Sequence, residues 1–241
     1  DSSRKHKAFG LEVYQLERPD TIFHLAALAR IQPSIKDPVT AIQNNFNSTL
    51  NVLEWARKDN TPVVFAGSSS FHHGLWGSPY AWSKFGGEQL CELYSKVYSL
   101  PTTICRFYNV YGPHQLEEGT YATVIGIFQK QHREGKPLTV TGDGEQRRDF
   151  THIEDIVDGI VKCHEAMHGA VDMKYTGEIF ELGRGVNFSI NEIAKMFGGE
   201  IEYIPSRSGE YDVTLADYSK ASELLDWKPN KDIEKYIKEV I

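Results

Sequence analysis

The chain has 241 residues, of which 40% are hydrophobic and 24% are charged, and its formal net charge at pH 7 is -7. This composition is typical of a globular protein with a sizeable core. The negative charge argues against nucleic acid as the main partner, and no apolar run is long enough for a membrane span, so no membrane partner is expected. Cys91, Cys105 and Cys163 lack metal-ligand spacing, which predicts reduced core thiols, no bound metal and a cytoplasmic location.

Strand and helix signals alternate in the first half of the chain. Apolar runs of strand length, rich in β-branched or aromatic residues, occur at 21–27, 62–66 and 102–107. Helices are predicted between them at 38–58 and 79–98, because each segment has helical spacing of apolar residues and a proline near its first position. This order predicts an α/β fold with a parallel sheet that is covered by helices on both faces.

Turn signals become dense after about residue 112, and the predicted elements become shorter. Helices are expected near 121–134, 152–168, 189–197 and 218–226, with the chain returning to the sheet at about 150–182. We therefore predict a smaller α/β domain, formed mainly by the C-terminal half. The predicted division assigns residues 1–111 and 149–182 to the sheet domain and residues 112–148 and 183–241 to the smaller domain.

Tyr80 and Lys84 carry the clearest chemical signal. They are four residues apart on a predicted helix, so both side chains lie on one face. A cation beside a phenol stabilises the phenolate and lowers the pKa toward the range of a general base. The pattern alone also occurs on exposed helix faces. The serine run Ser68 to Ser70 directly follows a predicted strand, which places hydroxyls at the carboxyl edge of the sheet, where ligands bind.

Several motifs occur in order along the chain, and together they resemble one family. The motifs are His24-Leu25-Ala26-Ala27, Asn45, the serine run, Tyr80-x-x-x-Lys84, Arg106 to Pro113 and Gly142 to Phe150. From about residue 19 to 227 the chain resembles the extended short-chain dehydrogenase/reductase family, in particular its nucleotide-sugar epimerases and dehydratases. The resemblance implies a Rossmann-like, doubly wound sheet with a smaller C-terminal substrate domain.

The resemblance implies catalytic roles for three side chains. Tyr80 would take the proton from a sugar hydroxyl, while Lys84 would hold the nicotinamide ribose and lower the pKa of Tyr80. A serine would hold the reacting oxygen. Counting from the strand favours Ser68, which we rank first, and counting back from Gly74 favours Ser69.

The resemblance also implies binding residues. The expected NAD contacts are His24, Ala26, Ala27, Asn45, Tyr80, Lys84 and Tyr108. The expected substrate contacts are Asn109, Arg148, Arg207, Glu210, Thr214 and Asp217. The two arginines would hold a diphosphate, since guanidinium groups match its geometry, and Glu210 or Asp217 would hold a ribose. His72 and His73 have no partner spacing and are interpreted as loop residues.

The resemblance implies epimerisation at C4 of a nucleotide-diphosphate sugar through a 4-keto intermediate, with a UDP-sugar as the expected substrate. The related dehydratases carry acids after the catalytic hydroxyl, and this chain has Ser68-Ser69-Ser70 instead. Thr214 falls where a small residue would admit an N-acetyl group, so UDP-N-acetylhexosamines are expected substrates beside UDP-hexoses. The alternatives are a dehydratase or reductase of the same family, or a catalytically inactive cofactor-binding relative.

Two further expectations concern the whole protein. The helices at 38–58 and 79–98 are where the family forms a two-fold four-helix bundle, which implies a homodimer. No glycine-rich cofactor turn appears before Pro19, so the first βαβ segment is missing from the predicted Rossmann-like domain. We interpret this as truncation, and the alternative is a different mode of cofactor binding. The residue that would select NAD over NADP lies in that segment, so NAD rests on the resemblance.

Overall fold

The computed structural model describes residues 6–8, 11–13, 18–169, 175–207, 209 and 211–241. Its strands are β1 (His6–Ala8), β2 (Leu11–Val13), β3 (Ile22–His24), β4 (Val63–Ser68), β5 (Thr102–Phe107), β6 (Val110–Tyr111), β7 (Leu138–Thr141), β8 (Arg147–Asp149), β9 (Thr151–His152), β10 (Glu178–Leu182), β11 (Asn187–Ser189) and β12 (Ile201–Ile204). Its helices are α1 (Ile31–Lys36), α2 (Pro38–Asp59), α3 (Pro79–Tyr98), α4 (Val124–Arg133), α5 (Ile153–Gly169), α6 (Ile190–Phe197), α7 (Ser219–Leu225) and α8 (Ile233–Val240).

A parallel sheet with the strand order β10-β5-β4-β3 forms the centre of the fold. This confirms the predicted α/β class and the predicted return of the chain to the sheet, which β10 makes. Ser68 at the end of β4 pairs with Phe107 at the end of β5. The two strands therefore end level, and the residues that follow them meet at one edge of the sheet.

Side-chain alternation sends each strand's apolar residues to both faces of the sheet. Val63 and Phe65 pack on one face in a cluster with residues of α2 and α3, such as Leu53 and Cys91. Val64, between them, packs on the other face with residues of α5. Both faces are therefore covered, which is why β4 is apolar throughout.

Caps fix the starts of the two long helices. Ser78 Oγ accepts a hydrogen bond of 3.1 Å from Ala81 N at the start of α3, and Asp37 Oδ1 accepts one of 3.0 Å from Thr40 N at the start of α2. Each cap precedes a proline at the first helical position. Ser78 lies two residues before Tyr80, so this cap fixes the position of Tyr80 in the first turn of α3.

A separate cluster of buried residues forms around α4, α6 and α8 with Leu138 and Val140 of β7. The parallel pair β12-β7 and the antiparallel pair β11-β8 lie in this half of the chain. The proposed domain division stays a prediction. One part of the predicted smaller domain packs elsewhere, because Ala221, Leu225 and Trp227 belong to the cluster on the α5 face of the sheet.

Two of the described helices, α1 and α8, are not among the helices predicted from the sequence. In α8, Ile233, Tyr236 and Ile237 are buried at helical spacing after the capping residue Asp232, a signal that the sequence does contain. The short α1 carries Pro33 in its first turn and has no side-chain cap. The predicted strand at 21–27 is observed only as Ile22–His24. Among the described helices, none has the length and apolar character needed to cross a membrane.

Candidate active site

A cavity of about 1050 Å³ lies where β3, β4 and β5 end. Ala27, Ser68 and Asn109, which lie at or just beyond the ends of these three strands, line one side of it. Thr139 and Thr141 of β7 line it from the other half of the chain. The cavity thus lies between the sheet and the α4/α6/α8 cluster, at the edge where the sequence predicts a ligand site.

Tyr80 and Ser68 meet inside this cavity. The Tyr80 hydroxyl donates to Ser68 Oγ at 3.4 Å, and the Tyr80 backbone N–H donates to Ser34 Oγ at 3.1 Å. Burial raises the pKa of the Tyr80 phenol, while the Ser68 hydrogen bond and the charge of Arg30 act to lower it. The direction differs from the predicted lowering by Lys84, because desolvation of the phenolate outweighs the nearby favourable groups.

Within the serine run, Ser68 makes hydrogen bonds to both Ser70 and Tyr80. Ser68 Oγ accepts from Ser70 Oγ at 2.9 Å and from Ser70 N at 3.3 Å, in addition to Tyr80. Ser68 Oγ therefore joins the serine run to the Tyr80 hydroxyl. Ser69 also lines the cavity. The contact with Tyr80 belongs to Ser68, the residue that the count from the strand ranks first.

Lys84 lies one helical turn after Tyr80 and is almost fully buried, with 5% of its surface exposed. Its ammonium stands 4.3 Å from the centre of the Phe65 ring, and no side-chain hydrogen bond to it is found among the described residues. Burial lowers the pKa of Lys84 to about 8, against the opposing charge of Glu88. Lys84 therefore presents unused donors to the cavity that it lines.

A buried ion pair lies beneath the serine run. Arg106 Nη2 donates to Glu88 Oε2 at 2.7 Å, and Arg106 Nε lies 3.1 Å from the same oxygen. Glu88 Oε1 also accepts from the backbone N–H of Ser68 at 3.4 Å. The pair therefore joins α3, β5 and the end of β4. Sequence reasoning did not single out Glu88, although it continues the row of Tyr80 and Lys84 by one more turn.

The predicted cofactor residues separate into two groups. Ala27, Tyr80 and Lys84 line the cavity, whereas His24, Ala26, Asn45 and Tyr108 do not. Asn45 acts on the cavity wall indirectly, because its side chain accepts from Leu28 N at 2.7 Å and donates to Ser83 Oγ at 3.0 Å.

His24 and Tyr108 make contacts behind the cavity wall. His24 Nε2 lies 3.1 Å from Thr49 Oγ1. Burial, followed by the charge of Lys84, lowers the pKa of His24 to about 4. The Tyr108 hydroxyl donates to Glu181 Oε2 at 2.6 Å. We infer that both residues support the carboxyl edge of the sheet from behind.

Four of the predicted substrate residues line the cavity. They are Asn109, Arg148, Arg207 and Thr214. Asn109 Nδ2 donates to Thr214 Oγ1 at 3.1 Å, and the same oxygen accepts from Asp149 N at 2.9 Å. Asp217 is exposed and outside the cavity lining, and its carboxylate accepts from Ser219 N at 3.0 Å. Glu210 lies outside the described residues.

Asp149 supports the substrate wall, and sequence reasoning gave it no role. It is completely buried. Its carboxylate accepts from the backbone N–H groups of Arg184 at 2.8 Å, Gly185 at 2.9 Å and Ala216 at 3.0 Å. Burial raises the pKa of Asp149, although these hydrogen bonds oppose the shift. Its position at the end of the Gly142 to Phe150 motif was the available signal.

The histidines do not form a metal-binding centre in the part of the chain that the structure describes. His72 Nε2 lies 2.5 Å from Glu181 Oε1, which ties the loop after Ser70 to the end of β10. No group of three or more His, Cys, Asp or Glu residues suitable for a metal occurs within the described ranges. The side chain of His73 is not described.

Comparisons with known proteins agree with this geometry. A model of the NAD dependent epimerase/dehydratase family matches residues 10–183. The chain is 34% identical to a UDP-glucuronate 4-epimerase of Thermodesulfobacterium geofontis over 99% of this chain and 79% of the relative.

Solved structures show the same likeness. A UDP-glucose 4-epimerase of Thermotoga maritima with UDP-glucose has a TM-score of 0.83 at 28% identity, over 91% of this chain and 75% of that one. A UDP-glucuronic acid 4-epimerase of Bacillus cereus in complex with UDP-glucuronic acid and NAD has a TM-score of 0.80 at 31% identity, over 91% and 73%.

Proposed function

This chain belongs to the NAD-dependent epimerase/dehydratase family, and we propose that it inverts C4 of a UDP-linked hexose through a transient 4-keto sugar. The observation that carries the proposal is the 3.4 Å contact between the Tyr80 hydroxyl and Ser68 Oγ in a cavity that Lys84 also lines. A phenol and a hydroxyl that face each other can hold the same substrate oxygen, as removal of its proton requires.

The residues around Lys84 fit NAD. The buried ammonium of Lys84 has donors to spare for ribose hydroxyls, and Tyr80 and Ala27 line the same cavity. We propose that Lys84 and Tyr80 hold the nicotinamide ribose. When bound, NAD supplies the acceptor and then the donor of a hydride at C4.

Tyr80 and Ser68 have different roles in the proposed proton transfer. Tyr80 takes the proton from O4 as C4 is oxidised, and Ser68 keeps a hydrogen bond to O4. After the keto sugar has turned over, Tyr80 returns the proton to O4. None of the described residues that line the cavity is Asp or Glu. Water elimination needs an additional acid, so this composition favours epimerisation over dehydration.

Replacement of Tyr80 by Phe tests the proposal. Loss of the phenol should lower kcat for interconversion of the C4 epimers by about 100- to 10,000-fold, the usual contribution of a general base. The assay supplies NAD and follows a UDP-sugar product of unchanged mass. Tyr98→Phe removes an exposed hydroxyl from the same helix and serves as the control. Equal activity in Tyr80→Phe and Tyr98→Phe would refute the role of Tyr80.

We also propose that the site accepts an N-acetyl group at C2 of the sugar. Thr214 is small, lines the cavity and is held by Asn109 and Asp149 N. A small side chain leaves room for the acetamido substituent. Comparable turnover of UDP-glucose and UDP-N-acetylglucosamine in the assay above supports this, and strict rejection of the acetamido sugar contradicts it.

The assembly and location of the protein are proposals of the same kind. A homodimer is supported by apolar side chains that α3 leaves exposed, among them Leu93 and Val97. A cytoplasmic location is supported by the free thiols of Cys91, Cys105 and Cys163, which are buried.

A further inference from the structure

Arg30 is a cation in the cavity that the proposed reaction does not use. It directly precedes α1 and lines the cavity together with Tyr80 and Ser68. Its Nη2 donates to the backbone carbonyl of Tyr121, which also lines the cavity. Its Nε is buried and has no hydrogen-bond partner among the described residues. A buried, charged donor without an acceptor is costly, so the site is arranged for a partner that the protein does not provide.

The other charged residues of the cavity lining also indicate an anionic ligand. Its lining contains five cations and, within the described residues, no carboxylate; the cations are Arg30, Lys36, Lys84, Arg148 and Arg207. The chain as a whole has a net charge of -7, so this concentration of positive charge is local. A cavity of this kind attracts an anionic ligand.

A diphosphate does not account for all of these cations. Arg148 and Arg207 are the arginines assigned to it by the resemblance. Arg30 instead lines the cavity beside Tyr80, the proposed general base. Its charge opposes the burial that raises the pKa of Tyr80, and no acid is among the groups that act on Arg30 itself. Arg30 is therefore an unpaired cation at the reacting end of the substrate.

We propose that Arg30 binds a carboxylate on the sugar, and that the preferred substrate is a UDP-hexuronate. In a hexuronate the carboxylate is attached to C5, next to the C4 that reacts, and a planar guanidinium matches a planar carboxylate. The inference rests on the proposed function for the position of C4 beside Tyr80. It assigns Arg30 as the residue that distinguishes an acidic sugar from a neutral one.

Binding measurements on the complete chain test this assignment without turnover. Tyr80→Phe protein is titrated calorimetrically with UDP-glucuronate and with UDP-glucose at a fixed NAD concentration, with and without Arg30→Ala. Loss of Arg30 should weaken UDP-glucuronate by about 10- to 100-fold, the effect of one charged hydrogen bond. The affinity for UDP-glucose should change by no more than about twofold. Arg133→Ala, which removes an exposed arginine paired with Glu117, should change neither.

Other outcomes would overturn the proposal. Equal weakening of both ligands would assign Arg30 to the diphosphate, and an unchanged affinity for UDP-glucuronate would assign it to neither. If Arg30→Ala fails to fold by circular dichroism, Arg30→Gln gives the same comparison with a polar side chain of similar reach. Because these readouts are affinities, they are independent of whether wild-type protein forms a C4 epimer, which is the separate test of the proposed function.

Discussion

Lys84 shows how one residue's burial defines its chemistry. An exposed lysine keeps its ordinary pKa, whereas Lys84 lies against Phe65 with its ammonium 4.3 Å from the ring centre. The resulting pKa of about 8 keeps the side chain largely protonated at neutral pH but close to losing its charge. The buried Glu88, one turn later, opposes a larger shift. Sequence spacing predicted the pair with Tyr80, and only packing sets the pKa.

The lowered pKa of Lys84 makes stability depend on pH in a defined window. The pKa of Lys84 is about 8 in the folded protein and has its ordinary value of 10.5 in the unfolded chain. Between these values the unfolded chain binds a proton that the folded chain has lost. Stability from this group therefore rises with pH across the window. Lys84→Met should be stabilised relative to wild type at pH 7, and the difference should shrink by about 3 kcal/mol toward pH 10.

Urea unfolding of Lys84→Met and wild type at several pH values checks this prediction. Only the difference between the two proteins is interpreted, because other groups titrate in both. A difference that does not vary with pH would show that Lys84 is not the buried titrating group.

Helix α3 packs closely against the sheet at Gly87, and this close contact brings its catalytic side chains to the sheet. A Cβ at this position would lie 2.6 Å from Phe65 Cζ, which is too close for two carbon atoms. Phe65 is also the ring that supports Lys84. The glycine therefore sets both the spacing of α3 from β4 and the surroundings of the ammonium.

Gly87→Ala should destabilise the protein by about 1–3 kcal/mol, since an added methyl group in a packed core displaces its neighbours. Turnover should fall as well, because movement of Phe65 disturbs Lys84. Thermal unfolding and the epimerase assay measure the two effects. Gln89→Ala, at an exposed position on the same helix, is the control and should change stability by no more than about 0.5 kcal/mol. Equal stability of the two variants would show that α3 tolerates a wider spacing.

The exposed apolar side chains on α3 are the best support for association of the whole protein with a second molecule. Leu93 and Val97 are four residues apart, so they share one face, and they are 49% and 59% exposed. Apolar residues grouped on a helix surface favour a protein partner. The proposed partner is a second copy of this chain, joined through α2 and α3.

Leu93→Asp should convert the proposed dimer to a monomer, because a charge placed in an apolar interface loses its hydration without gaining a partner. Size-exclusion chromatography with light scattering measures the mass at several concentrations. Val186→Asp changes an exposed apolar residue away from α2 and α3 and should leave the mass unchanged. A wild-type mass of one chain at all concentrations would contradict the dimer.

Features that depend on local spacing can be predicted from the amino-acid sequence alone. The limits of α3, the strand at 102–107, and the positions of Tyr80 and Lys84 on one helical face follow from patterns within a few residues of each other. Such patterns act through 3.6-residue and two-residue periodicity, so they can be read without the fold. The order of motifs also identified the family, which the comparisons confirmed.

Contacts between residues that are distant in the sequence depend on the tertiary structure. Asp149 bonds to backbone groups 35 to 67 residues away, and Arg30 reaches the carbonyl of a residue 91 positions later. Neither contact leaves a local pattern, because each depends on how separate elements pack around the cavity. The same holds for the raised pKa of Tyr80, which results from burial by the surrounding protein. Spacing identified the side chains available for the chemistry, and packing determined their charge and their partners.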